Sequence, residues 1–376
     1  MKQEGVTHSS NLQMQCLDLL RFPLAVIVLF VHIFGNALTV SPDTLVEGRG
    51  VLQAFGDIVD AFLSSRSVPI YFFISGYVFF RSAHFDWAQY GRKLKNRVHT
   101  LLVPYIVWNA IALLVILFFR LPIFASINPV EGSPDFSLSA LLNTFWNKEC
   151  GVFPIAEPSG HIFPQNEALW FIRDLMVIAL FTPLIYLLLR RVGWLLLVVL
   201  GVVWVLIECN VIEVLWFPLQ GFFFFSMGAY MGVNRCDIVE TFDKVKYSSA
   251  IVCVVASVLY MALCDSMPVV ASFMHTCSIF TGLITAINIA AYLILRHHCR
   301  VSGFLASSAI FIYMAQTICA KYIFKALVWV VQPSTGLQYV LLTVFALCVA
   351  LGFLLSLYYI MRRYTPSLLH VMTGRR

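Results

Sequence analysis

The chain has 376 residues, of which 60% are hydrophobic and only 12% charged, with a formal net charge of +6; its mean hydropathy is +0.85. Ordinary soluble domains are about one quarter charged, so a water-soluble globular protein is excluded. A basic excess on so apolar a chain is the usual result of membrane topology, and it does not indicate nucleic-acid binding.

Apolar runs of bilayer length recur throughout. The predicted spans are 15–38, 66–82, 100–119, 168–189, 193–210, 214–233, 247–265, 271–295, 303–325 and 337–361. Only a short turn near Asn210–Val214 separates the fifth from the sixth. The expectation is an all-α, polytopic membrane helical bundle of about ten transmembrane helices. It forms one domain over residues 1–376, with no fused soluble domain and no internal repeat.

In the first span, Arg21 and His32 are eleven residues apart. At about 100° per residue, eleven steps return to within about 20° of the starting direction, so the two side chains share a helix face. They lie about 16 Å apart along the axis, about half of a hydrocarbon core. A cation and an imidazole are costly to hold at such depth, and they usually face a bundle interior or a wet cavity. The alternative is an Arg that snorkels to the interface and a His bonded inside the bundle. Asp18, three residues before Arg21, is placed to neutralise it.

Arg66 opens the second span at its outer mouth, as an interface residue or an acceptor contact. Ser75-Gly76 lacks the Gly-x-Ser-x-Gly surroundings of a nucleophile and suits close helix packing. Ahead of the third span, Arg92, Lys93, Lys95 and Arg97 form a basic cluster able to attract phosphates. Arg173-Asp174 put two charges into the fourth span. Adjacent helical residues point about 100° apart, so each is expected to find its own partner, with Arg173 a candidate for the cavity lining. Gly228-x-x-x-Gly232, after four Phe, reads as a packing face. Trp170 and Tyr313 fit either a tunnel lining or the core.

The ten cysteines show neither C-x-x-C nor the His/Cys spacing of zinc sites, and most fall within spans. No metal site and no disulfide framework is expected. No P-loop or dinucleotide fingerprint appears. With the N-terminus inside, seventeen of the 25 Lys and Arg fall on cytoplasmic segments and five on the opposite side. Both termini are therefore expected in the cytoplasm.

Taken in order, these segments resemble acyltransferase family 3, the polytopic membrane O-acyltransferases. The resemblance rests on Arg21-x10-His32, then Phe72-Phe73-Ile74-Ser75-Gly76-Tyr77, then Lys95-x-Arg97 followed by Pro104-Tyr105 and Trp108, and then Leu169-Trp170-Phe171. It covers essentially the whole chain. One departure stands out: where many members carry a His near the end, this chain reads Ile312-Tyr313-Met314-Ala315-Gln316. Gln316 can donate and accept hydrogen bonds but cannot titrate near neutral pH. That leaves His32 as the better group for proton transfer.

The resemblance implies transfer of an acyl group, acetyl above all but with succinyl open, from cytoplasmic acyl-CoA to a hydroxyl on an extracytoplasmic or lipid-linked carbohydrate. His32 would act as base or acyl carrier. Arg21 and Arg97 would hold donor phosphates, with Ser75 and Gly76 making room for the pantetheine arm. Arg66, Trp170, Arg173, Tyr313 and Gln316 would line the acceptor side. The exported loops, 39–65 and 120–167, would select the acceptor; the second carries Glu131, Asp135, Glu149, Glu157 and His161. The implied setting is a multi-pass protein of a bacterial cell membrane, in contact with lipid and without a permanently bound cofactor. A transporter or flippase of a glycan or lipid-linked sugar also fits ten spans with buried charges, but no pairing of broken helices between the two halves supports it.

Overall fold

The computed structural model describes residues 2–40, 46–81, 86–124, 133–155, 162–212 and 217–374, with side chains from residue 11 in the first stretch and from residue 50 in the second. Glu131, Glu157, His161 and the start of the sixth expected span lie outside the described residues. Among the described residues all regular structure is helical. Among the described residues, seven helices are long and apolar enough to cross a bilayer: Asn11–Val40, Gly50–Arg81, Trp87–Phe119, Lys246–Leu263, Pro268–His297, Gly303–Val331 and Gly336–Tyr364. The pair Glu167–Leu180 and Thr182–Val192 is an eighth candidate, while Leu195–Glu208 and Leu219–Val233 are apolar but shorter. Many large apolar side chains point outward, among them Leu114, Ile251 and Leu341, as lipid contact requires.

Helix α1 (Lys2–Val40) continues through Pro23. Helix α2 (Val46–Val59) passes through a π-helical turn, Asp60–Ser64, towards α3 (Ser67–Arg81). Much of the expected exported loop 39–65 is therefore helix. Its polar residues Asp57, Asp60, Ser64 and Ser65 lowered the hydropathy there and concealed it. Helix α4 (Trp87–Arg97) runs through a second π-helical turn, Val98–Leu102, into α5 (Val103–Phe119), so the basic cluster lies on a helix with no buried residue. A short α6 (Leu138–Asn143) follows.

The fourth expected span, 168–189, is not straight. Helices α7 (Trp170–Leu180) and α8 (Thr182–Val192) meet at 62° across Phe181. Pro183, in the first turn of α8, lacks an N–H and cannot continue the α7 ladder. Helix α9 (Leu195–Glu208) ends before Asn210, whose φ of 55° turns the chain, and α10 (Leu219–Val233) follows. The later helices are α11 (Ile238–Asp243), α12 (Lys246–Leu263), α13 (Pro268–His297), α14 (Gly303–Val331), α15 (Gly336–Tyr364) and α16 (Pro366–Thr373).

The chain forms two compact, discontinuous units. Unit 1 comprises Met1–Ile27, Asp57–Arg92 and Val177–Ala306; unit 2 comprises Val28–Gly56, Lys93–Met176 and Ser307–Arg376. In unit 1, α3 and α10 touch backbone to backbone. A Cβ at Gly76 would run into the Phe225 carbonyl, one at Gly228 into that of Phe73, and one at Gly232 would meet the Tyr77 carbonyl at 2.9 Å. Association of helices inside a bilayer gains little from apolar burial, so close approach over small residues supplies the dispersion energy. The space beside Gly76 thus belongs to α10. Ser75 is half-buried.

In unit 2 the C-terminal segment folds back. Leu369, Met372 and Thr373 of α16 are buried, and Trp108 Nε1 of α5 donates to the Met372 carbonyl at 2.9 Å. Gly374 takes φ 75°, a conformation glycine adopts freely, and its Cα faces the Thr100 backbone with no room for a side chain.

Candidate active site

On α1, Arg21 Nη1 pairs with Asp18 Oδ1 at 2.9 Å, with both side chains about one-third exposed. The Tyr71 hydroxyl of α3 donates to the Arg21 carbonyl at 2.7 Å, tying this part of α1 into unit 1. The continuous helix keeps His32 on the Arg21 face. The His32 backbone carbonyl accepts from Asn36 Nδ2 at 2.7 Å. Its half-buried imidazole has no hydrogen-bond partner among the described residues, and the Glu167 carboxylate lies near enough to act on it electrostatically.

Glu167 stands in a polar knot of unit 2 just before α7. Lys148, only 3% exposed, reaches Glu167 Oε1 at 2.8 Å. Asn166 fixes the segment from three sides. Its N–H donates to Asn109 Oδ1 at 3.0 Å, its Nδ2 donates to the Met314 carbonyl at 2.9 Å, and its Oδ1 accepts from the Thr317 hydroxyl. The Tyr313 hydroxyl donates to the Ala168 carbonyl. The 313–317 stretch of α14 is therefore held against residues 166–168.

Gln316 lies within that stretch, 0% exposed, and neither Nε2 nor Oε1 of its amide has a hydrogen-bond partner among the described residues. Gln165, adjacent to Asn166, is likewise buried, with both amide atoms unpartnered among those residues. A buried polar group left unsatisfied costs about 1–3 kcal/mol, so two such amides in one knot mark a place that expects hydroxyls or water. Trp170 is half-buried as the first residue of α7.

Arg173 and Asp174, 3% and 4% exposed, pair with each other, Nε to Oδ1 at 2.9 Å, a pairing that their sequence positions did not require. The Arg side chain is long enough to curl back across the 100° between neighbouring positions. Its Nη1 also donates to the carbonyls of Trp146 at 3.1 Å and Ile162 at 2.9 Å, and the guanidinium lies 5.1 Å from the Trp146 ring centre. Arg173 thereby clamps the loop that carries Lys148. Arg173→Met leaves a buried carboxylate unpaired and is expected to cost about 3–5 kcal/mol. Thermal unfolding in detergent should show the loss, and adding Asp174→Asn should recover much of it.

Arg97 is half-buried as the last residue of α4, directly before the second π-helical turn. Arg66 does not stand free at a mouth. In unit 1 its Nη2 donates to Ser257 Oγ and its Nε to the Ser278 carbonyl at 3.4 Å, with the side chain against Gly282. Sequence reasoning passed over Gln165, Asn166, Glu167 and Lys148. The available signal was a polar triplet, Gln165-Asn166-Glu167, abutting the apolar run of the fourth span.

An apolar, all-helical chain with long membrane-crossing helices is an integral-membrane protein, and among its described residues it holds an imidazole and two buried amides without hydrogen-bond partners. Residues 14–359 match the family model described as an acyltransferase domain, so the chain belongs to acyltransferase family 3 and is an acyl-transfer enzyme of the membrane. The transporter reading is set aside by this membership. Over 366 residues it is 26% identical to the succinoglycan biosynthesis protein ExoH of Rhizobium meliloti (strain 1021), covering 96% of this chain and 92% of that one. No solved structure matches the chain significantly.

Proposed function

We propose that the enzyme moves an acyl group, acetyl or succinyl, from cytoplasmic acyl-CoA to a hydroxyl of an extracytoplasmic or lipid-linked carbohydrate in a bacterial cell membrane. The observation that carries this reading is the half-buried His32 imidazole, without a hydrogen-bond partner among the described residues, on the helix face it shares with Arg21. As the acceptor oxygen attacks the thioester carbon, His32 takes the hydroxyl proton. The C–S bond then breaks and the thiolate departs with a proton. Glu167 favours the positive charge that His32 gains. The amides of Gln316 and Gln165, each with donors and an acceptor to offer, suit the hydroxyls of a sugar. Asp18 fixes the Arg21 fork through one nitrogen and leaves the others for a donor phosphate. The name of the relative, a polysaccharide biosynthesis protein, supports a carbohydrate acceptor.

Membranes containing the protein, supplied with radiolabelled acetyl-CoA or succinyl-CoA and then fractionated into glycan and lipid, test this directly. Label in either fraction that depends on the protein supports the proposal. Absence of label with both donors, in membranes that carry the acceptor glycan, overturns it. Arg21→Lys keeps the charge but loses the planar fork. Its KM for acyl-CoA is expected to rise about tenfold with kcat little changed, as steady-state kinetics would show.

A further inference from the structure

A second constellation of reactive groups lies in unit 1, beside Arg66 and apart from His32, Glu167, Gln165 and Gln316, which belong to unit 2. It gathers around the π-helical turn Asp60–Ser64, which leads into α3. Such turns insert an extra residue at some energetic cost and recur at functional sites. Immediately after the turn, Ser65 Oγ lies 2.8 Å from Nε2 of His275 on α13. That is the separation of a hydroxyl nucleophile from its base. The Tyr260 ring of α12 packs 4.4 Å, centre to centre, from the His275 ring and holds its orientation. The Tyr260 hydroxyl donates to Asp60 Oδ2 at 2.7 Å, while Ser64 Oγ bonds Asp60 Oδ1. Asp60 and Arg66 both act electrostatically on His275.

Two features separate this group from a purely structural polar network. The first is that His275 Nδ1 is buried without a hydrogen-bond partner among the described residues, although a network serving stability alone would satisfy it. The second is exposure: Ser65 and His275 are half-buried rather than fully enclosed.

We propose that Ser65 is an activated nucleophilic serine with His275 as its base, forming a second acyl-accepting site in unit 1. Towards an activated acyl donor such as a thioester, Ser65 Oγ forms an ester bond to the acyl carbon as the bond from that carbon to the leaving group breaks. The Oγ proton passes to His275 Nε2 and leaves with the departing group. A hydroxyl acceptor then releases the acyl group by the reverse sequence.

The test uses the full-length protein in detergent and an alkyl fluorophosphonate probe, whose P–F bond breaks as the serine O–P bond forms. Peptide mapping by mass spectrometry should place the adduct on Ser65, Ser65→Ala should abolish it, and His275→Gln should slow labelling about a hundredfold. His32→Ala should label at the wild-type rate. Since the probe needs no acyl donor, the outcome is independent of the role proposed for His32. An unlabelled Ser65 in monodisperse wild-type protein overturns the proposal, as does an unchanged rate in monodisperse His275→Gln.

Discussion

His32→Ala is expected to abolish acylation, lowering label transfer by about a thousandfold or more, while the protein remains inserted at wild-type abundance. The size of the effect follows from the loss of a positioned base, worth about two to four orders of magnitude, together with any covalent carrier role. The fold should tolerate the change because the ring has no hydrogen-bond partner among the described residues and is only half-buried. A half-buried truncation of this kind falls near the centre of single-residue effects, about 1 kcal/mol. The measurement pairs label incorporation with quantitative immunoblotting of washed membranes. Equal incorporation in wild type and variant would remove His32 from the chemistry.

Gly228→Ala should lower stability severely, although it adds a single carbon. That carbon would collide with the Phe73 carbonyl of α3, a backbone atom that cannot rotate away. The helices must separate, and the cost is about 3 kcal/mol or more, at the upper end of overpacking effects. Gly352 of α15 provides the matched control, because a Cβ there meets nothing within 4 Å. Gly352→Ala should be neutral or stabilising by up to about 1 kcal/mol, as expected for glycine in a helix interior. Thermal unfolding of both variants in detergent separates the two outcomes. Equal melting temperatures would show that the close α3–α10 approach is dispensable.

Both results trace to features that can be read from the sequence. Arg21 and His32 are related by helical geometry alone, and a pair of glycines four apart in an apolar run signals a tight helix contact. The Asp18–Arg21 pair follows from the same periodicity. What stayed hidden depends on contacts without a period. Asn166 bonds to α5 and α14, and its position beside a span shows nothing of those partners. Arg173 and Asp174 pair through the reach of a long side chain, which a reading by helical direction cannot anticipate. The polar residues from Asp57 to Ser65 lowered the hydropathy of a helical stretch whose charges are satisfied by distant helices, such as Asp60 by Tyr260. The eight residues of α16 are too few for a periodic pattern to be distinctive.

The docking of α16 also bears on how the protein is made. Unit 2 joins Val28–Gly56 to Ser307–Arg376, a segment that leaves the ribosome much later. The segment that carries His32 therefore waits in the membrane while the intervening chain is made, before its unit can close. A ribosome that stops short of Met372 releases a chain whose helices are already inserted but whose Trp108 lacks its acceptor. Such products should be recognised by membrane quality control as unfinished.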